Sequence, residues 1–419
     1  MSNRSKQVYA TLKFDDDKIQ FLVAEYSNTR FNIIATYTSD IEGIVDYKIV
    51  DKEKVLEGLK LGIESISKKI GAKLEKVILI VPPFNFDRIP LKVSVIPTNG
   101  KIKKEDIARA ITNSLKASVD DHLVIVNTLI SKYTINGIAS RRFNENENCD
   151  EAEVDIDLLC ADKEMTYSYV EIVIEAGLEV LDLTLNNYAI AKESILLDNS
   201  INKNIILLDI GKNITYLSLL SKGRLMGSEI IYDGIGNMVE EVYKKYHLPI
   251  SSIPRLIKYN VDYASAYPND AVFAWNKDGK AKSITVKELS DFVEKPLNDY
   301  IDKIIVMCKP ILEKGAELWV CGEGSAMAAL VKKLREASNT EVKTYYPDTI
   351  GARNSELCAV YGALYVYKEK ASLNNLNVNC VNVLEYEQLV NEVQEDEESE
   401  SITSKIRNLF EMYKDRGDN

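Results

Sequence analysis

The pattern of apolar and polar positions over residues 7–50 predicts consecutive β-strands joined by short turns. The strand segments are YATLKF, KIQFLVAEY, FNIIATYTS and IVDYKIV. The period then changes, and five apolar residues at helical spacing predict a helix over 52–70: Val55, Leu59, Ile63, Ile66 and Ile70. The apolar run KVILIVPP at 76–83 predicts a buried strand that a proline pair ends.

Residues 84–162 have a pattern of their own, which predicts an inserted module. A charged helical segment, KKEDIARAITNSLKAS, precedes strands in HLVIVNTLISKYTING and EAEVDIDLLCA. From residue 163 a helix, MTYSYVEIVIEAGL, leads into EVLDLTLNNYAIAKESIL, and the chain leaves the module.

The strand pattern of the N-terminus recurs from residue 204, which suggests an internal duplication. ILLDIGKNITYLSLLSKG can be placed beside ATLKFDDDKIQFLVAEY, each a strand, a short turn and a returning strand. A strand, glycine turn and helix follow in GAELWVCGEGSAMAALVKKLREA, and a further helix in NSELCAVYGALYVYKEK. The duplication predicts two related α/β lobes that face one another.

Composition and charge limit which partners, metal sites and cellular location we expect for the chain. The chain has 419 residues, a net charge of −12 and a pI near 5.0, which argues against a nucleic-acid partner. Its six cysteines are scattered without a CxxC pair, so we expect reduced, mostly buried thiols and no metal site. The N-terminus lacks the apolar stretch of a signal peptide, and no run reaches the ~20 apolar residues of a spanning helix. We expect a cytosolic chain unless another segment ties it to a membrane.

Two facing lobes with glycine turns resemble the class of actin, the sugar kinases and Hsp70, in which a nucleotide lies between the lobes. In VCGEGSAM, Gly322, Gly324 and Ser325 suit the adenosine position, because a backbone without Cβ atoms allows close approach. In LLDIGKN, Asp209 suits a magnesium-bound water beside the second phosphate turn. The alternative for both motifs is an ordinary strand end.

The ordered set of motifs resembles FtsA, the bacterial actin-like cell-division family that tethers FtsZ filaments to the membrane. The resemblance covers nearly the whole chain, and the segments that carry it are KFDDDKIQFLVAEY, VDDHLVIVNTLISKYTING, EAGLEVLDLTLNNYAIAKESIL, NIILLDIGKNITYLSLLSKGRL, IIYDGIGNM and AELWVCGEGSAM. An acidic stretch before a short amphipathic tail completes it. The resemblance implies a two-lobe actin-like α/β fold, self-association into filaments, and binding of other division proteins through the inserted subdomain. It also places Gly234 and Gly236 near the nucleotide.

The first phosphate turn departs from the family pattern of Asp, apolar, Gly, Thr and a small residue before Lys. Lys13 stands in place of the Asp, Asp15 of the Gly and Asp16 of the Thr, and Asp17 and Lys18 follow. Two like charges ~4 Å apart repel by ~4 kcal/mol at an effective dielectric of 20. We therefore predict a degenerate nucleotide site without ATP turnover, where ATP and magnesium are doubtful ligands. Magnesium chelation by the three aspartates is the alternative.

The second turn also departs from the family pattern. It keeps Asp209 and Gly211, but Lys212 and Asn213 replace glycines and Tyr216 replaces a second Asp. Lys212 has two interpretations: it contacts phosphate as a point charge, or it neutralises the aspartate turn across the cleft. We favour the second.

The C-terminus combines an acidic linker with an amphipathic tail. Residues 385–400 contain eight acids and no base, which is typical of a disordered linker. At ~100° per residue the apolar side chains of 401–419 fall within an arc of ~100°; they are Ile402, Ile406, Leu409, Phe410 and Tyr413. Basic residues flank the arc: Lys405 and Arg416 on one side, Arg407 and Lys414 on the other. This pattern favours a helix on an anionic membrane surface. The alternative is docking on the chain's own body or on a partner.

The resemblance also places the binding site for the FtsZ C-terminal tail on the helix TVKELSDFVEKPLNDYIDKI, 285–304. Glu294, Lys295 and Asn298 are its candidate residues. The family's Glu-Pro-Arg run is absent, and Lys295 is the candidate substitute for the arginine. The alternative is a solvated helix face.

These observations predict an anchor of FtsZ filaments at the division site, on the cytoplasmic face of the membrane, rather than an enzyme. The predicted divisions are a first lobe of 1–83 with 163–203 and a helix near 354–371, an insert of 84–162, a second lobe of 204–353 with a smaller subdomain at 230–305, a linker of 385–400 and a membrane helix of 401–419. The alternatives are a PilM-type adaptor of pilus machines and a cleft enzyme of the sugar-kinase or phosphatase superfamily. The tail argues against the first and KFDDDK against the second.

Overall fold

The computed structural model describes residues 7–15, 17–97, 99–277, 279–376, 378–386 and 388. Within these ranges two five-stranded sheets and one four-stranded sheet contain most of the strands. Each five-stranded sheet, with its helices, forms one lobe. No helix in the described ranges is long and apolar enough to cross a membrane. The tail 401–419 and nearly all of the linker 385–400 lie outside the described residues.

The first lobe begins with three antiparallel strands, a small hairpin, a helix and a buried strand. These are β1 (Gln7–Phe14), β2 (Lys18–Ser27), β3 (Arg30–Asp40), β4 (Ile44–Val45), β5 (Lys48–Ile49), α1 (Lys52–Ile70) and β6 (Lys76–Val81). Helix α1 has the predicted bounds because both its ends are capped. The Asp51 side chain accepts a hydrogen bond from the Lys54 N–H, and Gly71 adopts a left-handed φ of 67°.

The segment predicted as an insert contains a separate four-stranded sheet of order β7-β10-β8-β9 and one helix. Its elements are β7 (Asp87–Val95), α2 (Lys104–Ser114), β8 (Leu123–Ile135), β9 (Ile138–Ser140) and β10 (Ala152–Asp162). The sheet and helix share a small apolar core that includes Ile107, Val154 and Ile156.

The chain then returns to the first lobe with α3 (Lys163–Glu175), β11 (Glu179–Leu185), α4 (Asn186–Glu193) and α5 (Leu196–Asn199). β11 pairs in parallel with β6 and completes a sheet of order β11-β6-β1-β2-β3.

The second lobe follows. Its strands are β12 (Ile205–Ile210), β13 (Thr215–Ser221), β14 (Arg224–Ile231), β15 (Ala271–Lys277), β16 (Lys280–Thr285), β17 (Glu317–Cys321) and β18 (Val342–Thr344). Its helices are α6 (Gly236–Tyr246), α7 (Ile253–Asn260), α8 (Val286–Leu312) and α9 (Ala328–Ser338). Short 3₁₀ turns occur at Ile250–Ser252, Glu323–Ala326 and Ser355–Leu357. The last helix, α10 (Cys358–Leu373), crosses back and packs in the core of the first lobe.

The two lobes repeat one topology. The first sheet has the order β11-β6-β1-β2-β3 and the second the order β18-β17-β12-β13-β14, with the same parallel and antiparallel pairs. Lys13 pairs with Gln20 and Asp209 with Tyr216, so Lys13 and Asp209 occupy equivalent positions. Both turns close with the same hydrogen bond: Asp15 N–H to the Lys18 carbonyl at 2.8 Å, and Gly211 N–H to the Ile214 carbonyl at 2.9 Å. The duplication suggested by the sequence is therefore present.

All six cysteines are buried and none forms a disulfide, as their scattering predicted. Burial raises the pKa of the Cys160 thiol to about 11 and that of Cys308 to about 12. These thiols act as small apolar side chains of the core rather than as nucleophiles.

Candidate functional site

The two equivalent hairpin turns face each other across a cleft between the lobes. Nine of the predicted nucleotide-site residues line this cleft: Lys13, Asp15, Asp17, Lys18, Asp209, Gly211, Lys212, Asn213 and Gly322. The cavity among them has a volume of about 30 Å³, although small-molecule sites typically measure ~300–1,000 Å³. It has room for one or two water molecules, so a nucleotide does not fit the cavity in this closed arrangement of the lobes.

The first turn is neutralised by its own lysine. Lys13 Nζ lies 2.9 Å from Asp15 Oδ1, and the Tyr47 hydroxyl donates to the same oxygen at 3.3 Å. Burial alone lowers the pKa of Lys13, but the carboxylates of Asp15 and Asp209 outweigh it and the net pKa is raised. Lys13 is therefore a charged ammonium that pairs with Asp15 and is further favoured by the nearby charge of Asp209. Asp16 lies outside the described residues.

A second ion pair crosses the cleft from turn to turn. Lys212 Nζ of the second lobe lies 2.6 Å from Asp17 Oδ2 of the first. This is the contact expected if Lys212 neutralises the aspartate turn rather than binding phosphate. Both side chains are partly exposed, so the pair contributes modestly to stability.

Four charged side chains form a ring beside the cavity, which we name the cleft quartet: Lys18, Lys258, Glu323 and Glu356. All of them except Lys258 line the cavity itself. Lys18 Nζ lies 3.1 Å from Glu323 Oε2 and 3.0 Å from Glu356 Oε2. Lys258 Nζ lies 3.0 Å from Glu323 Oε1 and 3.2 Å from Glu356 Oε1. Each ammonium therefore bridges both carboxylates.

The cleft quartet joins the lobes in a poorly hydrated place. Lys18 begins β2 of the first lobe, whereas Lys258 lies on α7 and Glu323 follows β17 of the second. Burial alone raises the pKa of Glu356, but the Lys18 and Lys258 charges outweigh it and hold that pKa below its usual range. The pKa of Lys18 is raised in the same way, because Glu323 and Glu356 outweigh its desolvation. Lys18 and Glu356 thus both stay charged where the two lobes meet.

Asp209 is engaged by its own neighbours. Its Oδ2 accepts from Asn186 Nδ2 at 2.6 Å, and the Cys321 thiol lies 3.7 Å from its Oδ1. Gly322 has a φ of +78°, and a Cβ there would meet Asp209 Oδ1 at 2.4 Å. A magnesium-bound water at Asp209 stays a prediction. Among the described residues no group of three or more His, Cys, Asp or Glu could hold a metal ion.

The other predicted residues that the structure describes do not line the cavity, and the glycines among them serve internal packing. A Cβ on Gly324 would lie 2.2 Å from Ile210 Cγ2, and one on Gly234 would lie 2.4 Å from the Lys212 carbonyl oxygen. Gly236 packs on the same carbonyl, and the Ser325 hydroxyl donates to the Gly322 carbonyl at 2.8 Å. The close approach that these glycines permit is therefore to the chain's own atoms, and an adenosine position here stays a prediction.

The candidate FtsZ residues lie on α8 around a lysine that the sequence analysis did not identify. Lys333 Nζ of α9 lies 2.8 Å from Glu294 Oε1 and 3.0 Å from Asn298 Oδ1. The same ammonium stands 4.5 Å above the ring of Tyr263, while Lys295 is exposed beside it. This group combines an amide, a carboxylate and two lysines on one surface, and we name it the α8 surface.

Three further residues of the site escaped sequence reasoning: Lys258, Glu323 and Glu356. Glu323 lies inside the glycine turn CGEGS and Glu356 in NSELC, both of which were singled out for other reasons. The sequence contains little indication that Glu323 and Glu356 belong to the site, because no spacing rule connects them with Lys18 or Lys258.

The chain is similar to curated cell-division proteins over most of its length. It is 22% identical to cell division protein FtsA of Enterococcus hirae over 358 residues, which cover 83% of this chain and 80% of that protein. It is 20% identical to cell division protein FtsA of Bacillus subtilis over 367 residues, 86% of this chain and 83% of that protein. No protein-family model matches the chain.

Solved structures share its fold. A chain of the PilM-PilN type IV pilus biogenesis complex superposes with a TM-score of 0.57 at 12% identity, covering 85% of this chain and 98% of that one. MreB5 of Spiroplasma citri bound to ADP gives 0.51 at 13% identity, covering 88% and 99%. At this identity the likeness shows the fold alone, and so it adds no support for a PilM-type function. The resemblance predicted from the motifs is confirmed: the chain is FtsA-like along most of its length and has the two-lobe α/β fold of actin-like ATPases.

Proposed function

We propose that this chain is an actin-like cell-division protein that anchors FtsZ filaments to the cytoplasmic face of the membrane and does not turn over ATP. The observation that carries the proposal is its similarity to FtsA proteins over more than four-fifths of its residues. Three regions have different roles in this proposal. The cleft between the lobes is closed, the α8 surface contacts FtsZ, and the tail 401–419 contacts lipid.

The closed cleft supports a scaffold rather than an enzyme. Phosphoryl transfer needs donors around the phosphates, a metal and a positioned base or water. Here the equivalent space holds the cleft quartet and a cavity of about 30 Å³. The charged ring bridges the lobes where a nucleotide with its metal would do so in an ATPase. A measured ATPase rate well above background would favour the cleft enzyme instead.

The α8 surface is the proposed contact for the FtsZ tail. Exposed Lys295 offers positive charge beside the amide of Asn298, which suits a peptide with carboxylates and backbone hydrogen-bonding groups. Lys333, whose side chain is 17% exposed and paired with Glu294, holds this surface in place. Its position is fixed by the Glu294 carboxylate and the Tyr263 ring.

The tail is the proposed membrane contact, on the sequence pattern of 401–419. Its apolar arc includes Phe410, and the bases on both sides suit anionic head groups. One such helix binds lipid reversibly, so stable attachment needs many copies along a filament. Self-association and recruitment of other division proteins through 84–162 belong to the same proposal.

The test is co-sedimentation of FtsZ with phosphatidylglycerol-containing vesicles, with and without the full chain. FtsZ should pellet with vesicles only when the chain is present. Phe410→Asp should abolish pelleting of both proteins. Lys333→Met should abolish pelleting of FtsZ alone, while Lys244→Met, which removes an exposed lysine of α6, should change neither. FtsZ that stays in the supernatant with the unaltered chain would contradict the proposal.

A further inference from the structure

A pocket rich in basic side chains, which we name the basic pocket, lies between the inserted module and the second lobe. Its volume is about 560 Å³, within the ~300–1,000 Å³ that is typical of ligand sites. Nine residues line it, none of them acidic, and five carry a positive charge: Arg88, Lys132, Arg141, Lys222 and Arg224. In a chain with a net charge of −12 this is a local reversal of charge.

Two buried carboxylates of β10 balance only part of this charge. Asp157 Oδ1 lies 2.8 Å from Arg88 Nη1 and 3.0 Å from Arg224 Nη1. Asp155 Oδ2 lies 3.2 Å from Lys132 Nζ and 3.4 Å from Arg224 Nη2. Five positive charges against two negative ones leave a surplus of three. Because Arg224 begins β14, the same contacts hold the module against the second lobe.

The other two cations are exposed and have no carboxylate partner in the described ranges. Neither Arg141 nor Lys222 forms an ion pair there. Arg141 is nevertheless held in place, because its Nη2 donates to the Lys222 carbonyl. A Cβ on Gly223 would collide with the same guanidinium, so this glycine leaves the room that Arg141 needs. An ordered guanidinium binds a carboxylate at a lower entropy cost than a freely moving one.

The basic pocket also includes an open edge of a β-sheet. The sheet of the inserted module has the order β7-β10-β8-β9, so β9 is an edge strand. A two-residue turn joins β8 to β9, with Ile135 paired with Ile138 and Thr134 with Ala139. In such a hairpin the first pair exchanges hydrogen bonds and the second does not. The N–H and C=O of Ala139 therefore point away from β8, and Ala139 is exposed and lines the pocket.

We propose that the basic pocket binds an extended acidic segment of a partner protein, which adds to the edge of β9 and places carboxylates on Arg141 and Lys222. The open edge favours a peptide over a small anion, because a peptide supplies the backbone groups that pair with Ala139. Since the side chains of a strand alternate, acidic residues at every second position all face the pocket. The surplus of three positive charges matches a segment with two or three carboxylates.

The experiment titrates the full chain into a fluorescent seven-residue peptide, in which glutamates alternate with valines, and follows the anisotropy. A peptide with glutamines in place of the glutamates is the neutral control. The acidic peptide should bind at least about tenfold more tightly, because only it carries charges that the exposed cations attract. Arg141→Gln should weaken binding of the acidic peptide at least about fivefold. Lys244→Met, which removes an exposed lysine of α6, should leave it unchanged.

A second pair of variants tests the strand edge. Ala139→Pro removes the outward N–H and should weaken binding of the acidic peptide, whereas Ala139→Ser keeps the N–H and should not. Proline is tolerated at the edge of a sheet, and a urea midpoint equal to that of the unaltered chain verifies that the variant folds.

Several results would overturn the inference. The first is equal binding of the acidic and neutral peptides, or binding that Arg141→Gln leaves unchanged. Loss in Arg141→Gln but not in Ala139→Pro, together with displacement by inorganic pyrophosphate, would assign the pocket to a phosphate-bearing anion. Binding of the Phe410→Asp chain to phosphatidylglycerol vesicles that Arg141→Gln abolishes would assign it to a membrane surface. Peptide binding that appears only when the acids of 395–398 are changed to amides would assign it to the chain's own linker.

The peptide assay is independent of the proposed function, because neither FtsZ nor lipid takes part in it. The inference rests on that function only for the partner, a division protein recruited through 84–162. If the peptide binds but FtsZ does not sediment with vesicles, the anchor is rejected and docking stands. If FtsZ sediments but the peptide does not bind, docking alone is rejected.

Discussion

Replacement of Lys18 by methionine should open the cleft, because it removes one of the two cations of the cleft quartet. Methionine keeps most of the apolar stem and deletes the ammonium that lies 3.1 Å from Glu323 and 3.0 Å from Glu356. The two carboxylates would then share Lys258 alone. The Lys18 side chain is 17% exposed, so water does not replace the lost contacts fully.

The expected cost follows from that burial. Removing one partner of a buried ion pair typically destabilises a protein by ~3–5 kcal/mol. Because Lys258 still neutralises part of the remaining charge, we expect a value near the lower end, about 3 kcal/mol. With a urea dependence of ~3 kcal/mol per molar, the unfolding midpoint should fall by about 1 M.

The assay is urea unfolding followed by tryptophan fluorescence, since Trp319 lies on β17, which leads into Glu323. Lys54→Met is the matched control, because Lys54 pairs with Glu42 at 2.7 Å but both side chains are largely exposed. That control should cost less than ~1 kcal/mol. A double-mutant cycle that combines Lys18→Met with Glu356→Gln isolates the Lys18–Glu356 ion pair. The coupling energy of this pair should exceed ~1 kcal/mol.

If Lys18→Met costs no more than the exposed control, or the cycle shows no coupling, the cleft quartet does not hold the lobes together. Contacts other than these charges would then close the cleft.

Two further predictions concern packing around the cleft. Burial raises the pKa of Glu193 to about 7. The protonated carboxyl therefore favours the folded state fully at pH values below the ordinary glutamate pKa, and this contribution to stability is lost as the pH rises to about 7. Glu193→Gln should therefore raise the free energy of unfolding by ~3 kcal/mol at pH 8 and by much less near pH 4 in urea titrations, whereas a gain equal at both pH values would contradict this assignment. Gly362→Ala would place a Cβ 2.2 Å from the Ala189 carbonyl oxygen, and it should lower stability by ~1–3 kcal/mol. Gly227→Ala, which meets no atom within 4 Å, is the control, and equal unfolding midpoints for the two variants would show that α10 can shift without cost.

Local patterns predicted much of the fold. The bounds of α1 follow from apolar spacing and its caps, and the paired hairpins follow from two similar strand–turn–strand segments. Lys13 and Asp209 share one register in equivalent hairpins, whereas the alignment of Lys13 with the family's aspartate stays a prediction. These features depend on neighbours close in sequence.

Other features could not be predicted because they depend on how distant segments pack. The partners of Lys18 lie more than three hundred residues further along the chain, so the cleft quartet exists only once the lobes meet. Lys333 reaches the α8 surface from another helix for the same reason. Helix α8 continues past the predicted end at 304 to Leu312, with Pro296 and Pro310 inside it, because its buried face from Leu289 to Cys308 packs in the core of the second lobe.

The central claim is that the chain's own charges fill the cleft in place of a nucleotide. Titration calorimetry of the full chain with ATP and magnesium tests it most directly. We predict no saturable binding at concentrations up to ~1 mM, a level that corresponds to less than ~4 kcal/mol of binding free energy. Saturation with a dissociation constant near ~1 μM would contradict the claim, because a nucleotide would then bind in the cleft despite the ion pairs of the cleft quartet.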